Sequence, residues 1–125
     1  MRRAPALLFA CLAAAAPVAA QDIVTPSGQT VRLFDVVLEP EAGIARFRFL
    51  SPAIATAGFE TVEPDMPWLC ANVAVPALAA NDWTVAQVIV SLSDRELALG
   101  TTDPDAVQFF EGFSITDGTC VWEPY

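Results

Sequence analysis

Apolar and polar positions alternate in several stretches of the chain and recur at helical spacing in one other. Residues 31–39 are rich in Val, Leu and Phe, residues 40–43 read Pro-Glu-Ala-Gly, and residues 44–50 alternate through Arg46-Phe47-Arg48-Phe49. This pattern predicts two strands joined by a four-residue turn. With Glu39 facing Ile44, one face collects Leu38, Val36 and Phe34 against Ala45, Phe47 and Phe49. The other face brings Asp35 opposite Arg48, so a single register satisfies both faces. Residues 51–63 contain Pro52 and Gly58 and read as irregular. Asp65 then suits a helix cap, with Pro67 in the first turn. Met66, Leu69, Cys70, Val73 and Ala74 follow on one helical stripe. Pro76 is expected to end or kink this helix, with room for one more turn over residues 77–80 before Asn81.

Residues 85–93 predict a third strand, with Val88, Val90 and Leu92 on one face and Asp94-Arg95-Glu96 as a polar exit. Asp103-Pro104 suits the start of a second, short helix, anchored by Phe109, Phe110 and Phe113 and stopped by Gly112. Asp117-Gly118 is the preferred pair for a two-residue hairpin turn. Around it Thr116 faces Thr119, Ile115 faces Cys120 and Phe113 faces Trp122, which gives Phe113, Ile115, Cys120 and Trp122 a common apolar face. Residues 21–30, with Pro26, Ser27 and Gly28, read as an entry loop. The expected fold class is α+β: an antiparallel sheet of about five strands built from hairpins, one main helix packed on one face, and one disulfide.

The first twenty residues have a different character. Arg2 and Arg3 precede an apolar run with Pro17 near its end, and Val18-Ala19-Ala20 has the small residues of a cleavage site. We read residues 1–20 as a signal peptide cut after Ala20, and residues 21–125 as a single α+β domain. A membrane anchor is the competing reading, but the run is at the short limit for spanning. Leu8-Phe9-Ala10-Cys11 resembles a lipobox, which would place a lipidated Cys11 at the N-terminus instead. The residues after the Arg pair do not fit twin-arginine export, so the expectation is general secretion to a periplasmic or secreted location.

Composition narrows the class further. The 125 residues are 54% hydrophobic and 17% charged, which excludes disordered and collagen-like chains and limits the protein to one domain. The domain after Ala20 carries four arginines (Arg32, Arg46, Arg48 and Arg95) and no Lys against fifteen acidic residues, a net charge of −11. Such a surface repels phosphate, so no nucleic-acid partner and no membrane association after signal cleavage are expected. Its expected partner is an unidentified protein or small ligand. Removal of the leader leaves Cys70 and Cys120, an even count that in an exported domain reads as one disulfide. Cys70 lies on the apolar stripe and Cys120 on the apolar face of the hairpin, so the bond would staple helix to sheet. Two buried free thiols are the alternative.

Several stretches together resemble a family of small exported alphaproteobacterial proteins classed as a domain of unknown function. They are Pro26 to Gln29, Ala45 to Phe49, Trp68-Leu69-Cys70, Val88 to Arg95, Gly100 with Asp103-Pro104, Gln108 to Phe113, and Asp117 to Glu123. The resemblance spans nearly all of the domain and implies no activity and no catalytic residue. Some members bear an acetolactate synthase label. That label is rejected for this chain, which has no thiamine diphosphate motif and no room for that enzyme's domains.

The chain has no His, so Ser-His-Asp and Cys-His nucleophiles and His-ligated zinc are excluded. It has no Cys-x-x-Cys and no Gly-rich phosphate loop. We therefore expect no catalytic residues, no cofactor and no metal. Carboxylates are the one abundant chemistry, with Glu111, Asp94 and Glu96 as candidates for a carboxylate-dependent hydrolase. Asp103 and Asp105 alternate as in calcium loops but lack further ligands in sequence. Trp68, Trp83 and Arg95 are the candidate partner-binding residues, each balanced against an ordinary role in the core edge or a local ion pair. The leading expectation is a non-catalytic exported interaction or binding module. The alternatives are an acidic inhibitor of a basic exported enzyme, such as a lysozyme or protease, and the hydrolase.

Overall fold

The computed structural model describes residues 21–124. Residues 1–20, on which the expected signal segment and Cys11 fall, and Tyr125 lie outside them. The order of elements is β1 (Ile23–Val24), β2 (Thr30–Glu39), β3 (Ile44–Leu50), α1 (Ile54–Ala57), α2 (Phe59–Val62), α3 (Asp65–Leu69), a π-helical turn (Cys70–Ala74), α4 (Val75–Ala80), β4 (Gln87–Ser93), β5 (Gln108–Thr116) and β6 (Thr119–Glu123). The six strands form one sheet in sequential order. Every neighbouring pair is antiparallel except β3 and β4, which run parallel. A parallel pair requires a crossover connection, and the helices fill it.

The expected sheet of about five antiparallel strands is therefore corrected to six, with one parallel pair. The entry loop supplies the extra strand, where Ile23 and Val24 pair with Val31 and Thr30.

The first hairpin keeps the expected register from Glu39↔Ile44 through Asp35↔Arg48. A bulge then falls between Leu33 and Asp35, so Phe49 faces Leu33 and not Phe34. The extra residue leaves Phe34 beside the Arg48 guanidinium, 4.9 Å from its ring centroid. In the second hairpin all three expected pairs occur: Phe113↔Trp122, Ile115↔Cys120 and Thr116↔Thr119. Asp117 and Gly118 take φ of 51° and 73°, the left-handed pair that a tight hairpin turn of this twist demands.

Two local expectations, a cap at Asp65 and a helix at Asp103, fail for physical reasons. Asp65 does not cap its helix; no side-chain cap bond forms there, and its carboxylate turns to the N-terminal loop. It accepts hydrogen bonds from the Thr25 hydroxyl (2.7 Å), the Ser27 N–H (2.9 Å) and the Ser27 hydroxyl (2.5 Å), fully buried. At Pro76 the helical run goes on for the one further turn expected of residues 77–80 and ends at Ala80. The π turn changes the hydrogen-bond register just before Pro76, which falls in the opening turn of α4, where its missing N–H costs nothing. No helix begins at Asp103. Its Oδ1 accepts the Asp105 N–H at 2.9 Å and closes a turn, and residues 108–116 enter the sheet as β5. The stretch read as irregular also holds two single helical turns, α1 and α2.

Alternation assigns the sheet faces. Ala45, Phe47 and Phe49 of β3, Val88, Val90 and Leu92 of β4 and Phe113 of β5 are buried in one cluster with Met66, Leu69, Cys70, Ala74 and Leu78 of the helical run. The Cys70–Cys120 disulfide is formed, with Cα atoms 6.3 Å apart. Among the described residues no helix is long and apolar enough to cross a membrane.

Candidate functional site

The second hairpin places one residue against the pattern. On β5 the residues facing the core cluster are Phe109, Glu111, Phe113 and Ile115, paired with Leu92, Val90, Val88 and Cys120. A carboxylate thus stands between two phenylalanines on the apolar face. Glu111 is 9% exposed, and its Oε2 accepts the Trp122 indole N–H at 2.6 Å. Trp122 faces Phe113, so Glu111 is its diagonal neighbour across the ladder. Among the described residues no other side chain donates to Glu111.

Beside this pair lies a cleft of about 380 Å³, lined by Glu63, Pro64, Pro67, Glu111, Phe113 and Trp122. Its helical wall follows from the local sequence. Glu63 closes α2, and Pro64 and Pro67 flank the start of α3. Neither proline has a backbone N–H to offer. The edge-to-face contact of Phe59 and Phe109, with centroids 5.2 Å apart, ties α2 to β5 and holds this wall against the sheet. The disulfide ties β6 to the π turn two residues from Trp122. The cleft therefore offers two carboxylates and apolar rings. Its one side-chain donor, the Trp122 N–H, is already engaged.

Trp122 shares the expected apolar face with Phe113. It is 59% exposed, because β6 is the last strand of the sheet and the helical run reaches it only near Cys120.

The three partner candidates lie elsewhere. Trp68 is half-buried and packs against the core cluster from α3. Trp83 is also half-buried, and lines a shallow depression with Val75, Leu78, Val85 and Ile115. Arg95 is bound to its own neighbourhood. It donates to Asp94 at 3.2 and 3.3 Å and to the Asp105 carbonyl at 3.0 Å, and lies 3.6 Å from the Asp103 carboxylate. These bonds close the loop between β4 and β5. The Arg95 hydrogen bond holds the Asp94 carboxyl below its ordinary value, and the same contact raises the Arg95 guanidinium. Of the carboxylate candidates, Glu111 lines the cleft, whereas Asp94 and Glu96 belong to the loop. Among the described residues no group of three or more His, Cys, Asp or Glu is gathered as for a metal ion.

Trp122 and Glu63 were not singled out from the sequence as site residues. A signal for Trp122 does exist: once residue 111 is placed on a strand, the Asp117-Gly118 turn sets it diagonally across from Trp122 on the inward face. Glu63 enters through the crossover, which no local pattern specifies.

No curated protein and no solved structure matches the chain. The model of the family of unknown function DUF6497 matches residues 8–125, and the chain belongs to that family.

Proposed function

We propose that the protein is an exported, non-catalytic binding module whose ligand occupies the Glu63–Glu111–Trp122 cleft. The observation that carries this reading is Glu111. A carboxylate on the apolar face of a sheet costs the fold stability, and the single indole hydrogen bond to Glu111 offsets only part of that cost. Here the carboxylate borders a cleft and is joined to an exposed indole, the residue type most enriched at binding hot spots. The disulfide supports an export route, and the acidic excess of the chain, a net charge of −9, supports a partner that is not anionic.

The test is native mass spectrometry of the protein taken from its own cell envelope, repeated after denaturation and repeated for Trp122→Ala. A denatured mass that starts at Gln21 and is two hydrogens light supports cleavage and the disulfide. An added native mass that disappears in Trp122→Ala supports the cleft as the binding site. A bare wild-type monomer counts against the reading.

A second reading rests on the same cleft, because two carboxylates in one pocket can serve as acid and base of a hydrolase. Turnover of a bound glycan or peptide that Glu111→Gln abolishes, with binding retained, would favour it.

A further inference from the structure

The cleft has a one-sided chemistry. Its polar groups are the carboxylates of Glu63 and Glu111, no basic residue lines it, and its indole N–H is spent on Glu111 Oε2. A ligand that satisfies these groups must bring donors and positive charge. Pro64, Pro67, Phe113 and Trp122 complete the walls with apolar and aromatic surface. Such walls suit the aliphatic stem of a basic side chain, and an indole attracts a cation at its face.

The cleft also adjoins a free sheet edge. β6 pairs with β5 on one side, and among the described residues nothing pairs with its other side. Four of its five residues are exposed. An open edge presents unpaired main-chain donors and acceptors, a ready partner for an extended segment.

Resting on the binding-module reading above, we propose that the ligand is an extended segment of a partner protein. Its backbone lies along β6, and one arginine or lysine side chain enters the cleft to meet Glu111 and Glu63. The excess of acidic residues, −11 over residues 21–125 and −9 over the full chain, draws a basic segment towards the protein before contact. The buried Glu111 then provides the selective contact, because a charge-assisted bond is strongest where water is excluded.

The experiment is a titration of the disulfide-bonded protein with two acetylated, amidated pentapeptides, Thr-Val-Arg-Val-Thr and Thr-Val-Gln-Val-Thr. Binding is followed by calorimetry and by the Trp122 indole N–H resonance, assigned with Trp122→Phe. The expected result is that the Arg peptide moves this resonance and binds about tenfold or more tightly than the Gln peptide. Added salt should weaken it, and Glu111→Gln should remove about tenfold in affinity. Glu63→Gln, at an exposed position, should weaken it less, and it provides a charge test should Glu111→Gln fail to fold. Equal binding of both peptides would overturn the cationic inference and leave the binding module standing. No movement of the indole resonance with either peptide would overturn the inference outright. Whether the binding-module reading falls with it is read separately from the native mass, which does not depend on the peptides chosen.

Discussion

The β2–β3 and β5–β6 hairpins of the sheet treat their charges in opposite ways. In β2–β3 two acidic and two basic side chains pair across the strands: Arg48 meets Asp35 directly opposite at 2.6 Å and also donates to the Leu97 carbonyl at 2.6 Å. Arg46 meets Glu39 at 2.9 Å. These charges lie on the face away from the core cluster and are neutralised within the hairpin. In β5–β6 the carboxylate of Glu111 sits on the core-facing side, with an indole as its partner and no cation. A charge answered by its cross-strand neighbour explains itself as structure. A charge turned inward beside a cleft and left without a counter-ion calls for a ligand.

The largest test of this contrast concerns what holds each hairpin in place. The first is joined to a neighbour on both sides, whereas the second ends the sheet and is tied to the helical run by the disulfide. Cys70→Ser and Cys120→Ser should each cost about 2–5 kcal/mol. The double variant should melt no lower than either single one in calorimetry. Additive losses would show that the thiols act independently of the bond. Proton exchange in the single variants should rise in β6 well before β2.

A smaller loss is expected in the first hairpin. Arg48 is 6% exposed and holds both Asp35 and the covering loop, so Arg48→Ala should cost roughly 2–4 kcal/mol. Asp35→Ala should cost less, because its side chain is 38% exposed and Arg48 keeps its carbonyl partner. Denaturant unfolding of the double variant should give a coupling of about 0.5–1 kcal/mol, reduced by the solvent that reaches Asp35. Zero coupling would reduce the pair to coincidence and erase the contrast.

How far each region is legible in the sequence follows the same division. Both hairpin registers can be read locally, because strict alternation and the Asp117-Gly118 turn leave few competing alignments. The bulge at Phe34 cannot, since it changes only which of two large apolar residues meets Phe49. Residues 103–113 misled for a definite reason. Asp-Pro opens turns as readily as helices, and Phe109, Phe110 and Phe113 fit helical spacing as well as strand alternation. Reading that segment as helix removed Glu111 from the sheet and hid its parity with Phe109 and Phe113. Asp65 misled in a similar way, because its capping chemistry was used by Thr25 and Ser27, forty and thirty-eight residues away. The parallel pairing of β3 with β4, which brings Glu63 to the hairpin, depends on a crossover that no local pattern encodes.

Glu111 can be tested against the opposite expectation from Arg48. If its carboxylate is kept for a ligand, the fold should not need it. Glu111→Leu should be neutral or stabilising by up to about 1 kcal/mol, because it restores an apolar residue between Phe109 and Phe113. The Trp122 indole, 59% exposed, can turn its N–H to water. The midpoint of urea unfolding reads this directly. A loss above about 1 kcal/mol would place Glu111 with Arg48 as a structural charge.

The smallest effect belongs to a third charged pair, Asp94 with Arg95, which is partnered as in the first hairpin but lies on a loop. Arg95 lowers the Asp94 carboxyl from its ordinary value of 3.8, and the Val107 N–H, donating to Asp94 at 3.1 Å, acts in the same direction. A carboxyl lowered on folding binds its proton more readily in the unfolded chain. Its stabilisation is therefore present in full above pH 3.8 and is lost as pH falls through the lower folded value. Arg95 stays charged throughout and contributes no slope of its own. Thermal melts of the wild type should decline below about pH 4, and Asp94→Asn should show a shallower decline there with a slightly lower melting temperature at pH 7. The loop should be the part that loosens, because Asp94 and Val107 also exchange a backbone bond at 3.0 Å across its neck. Equal acid slopes for the two proteins would mean that the pair forms without stabilising the loop. A local partner would then no longer be enough to count a charge as structural.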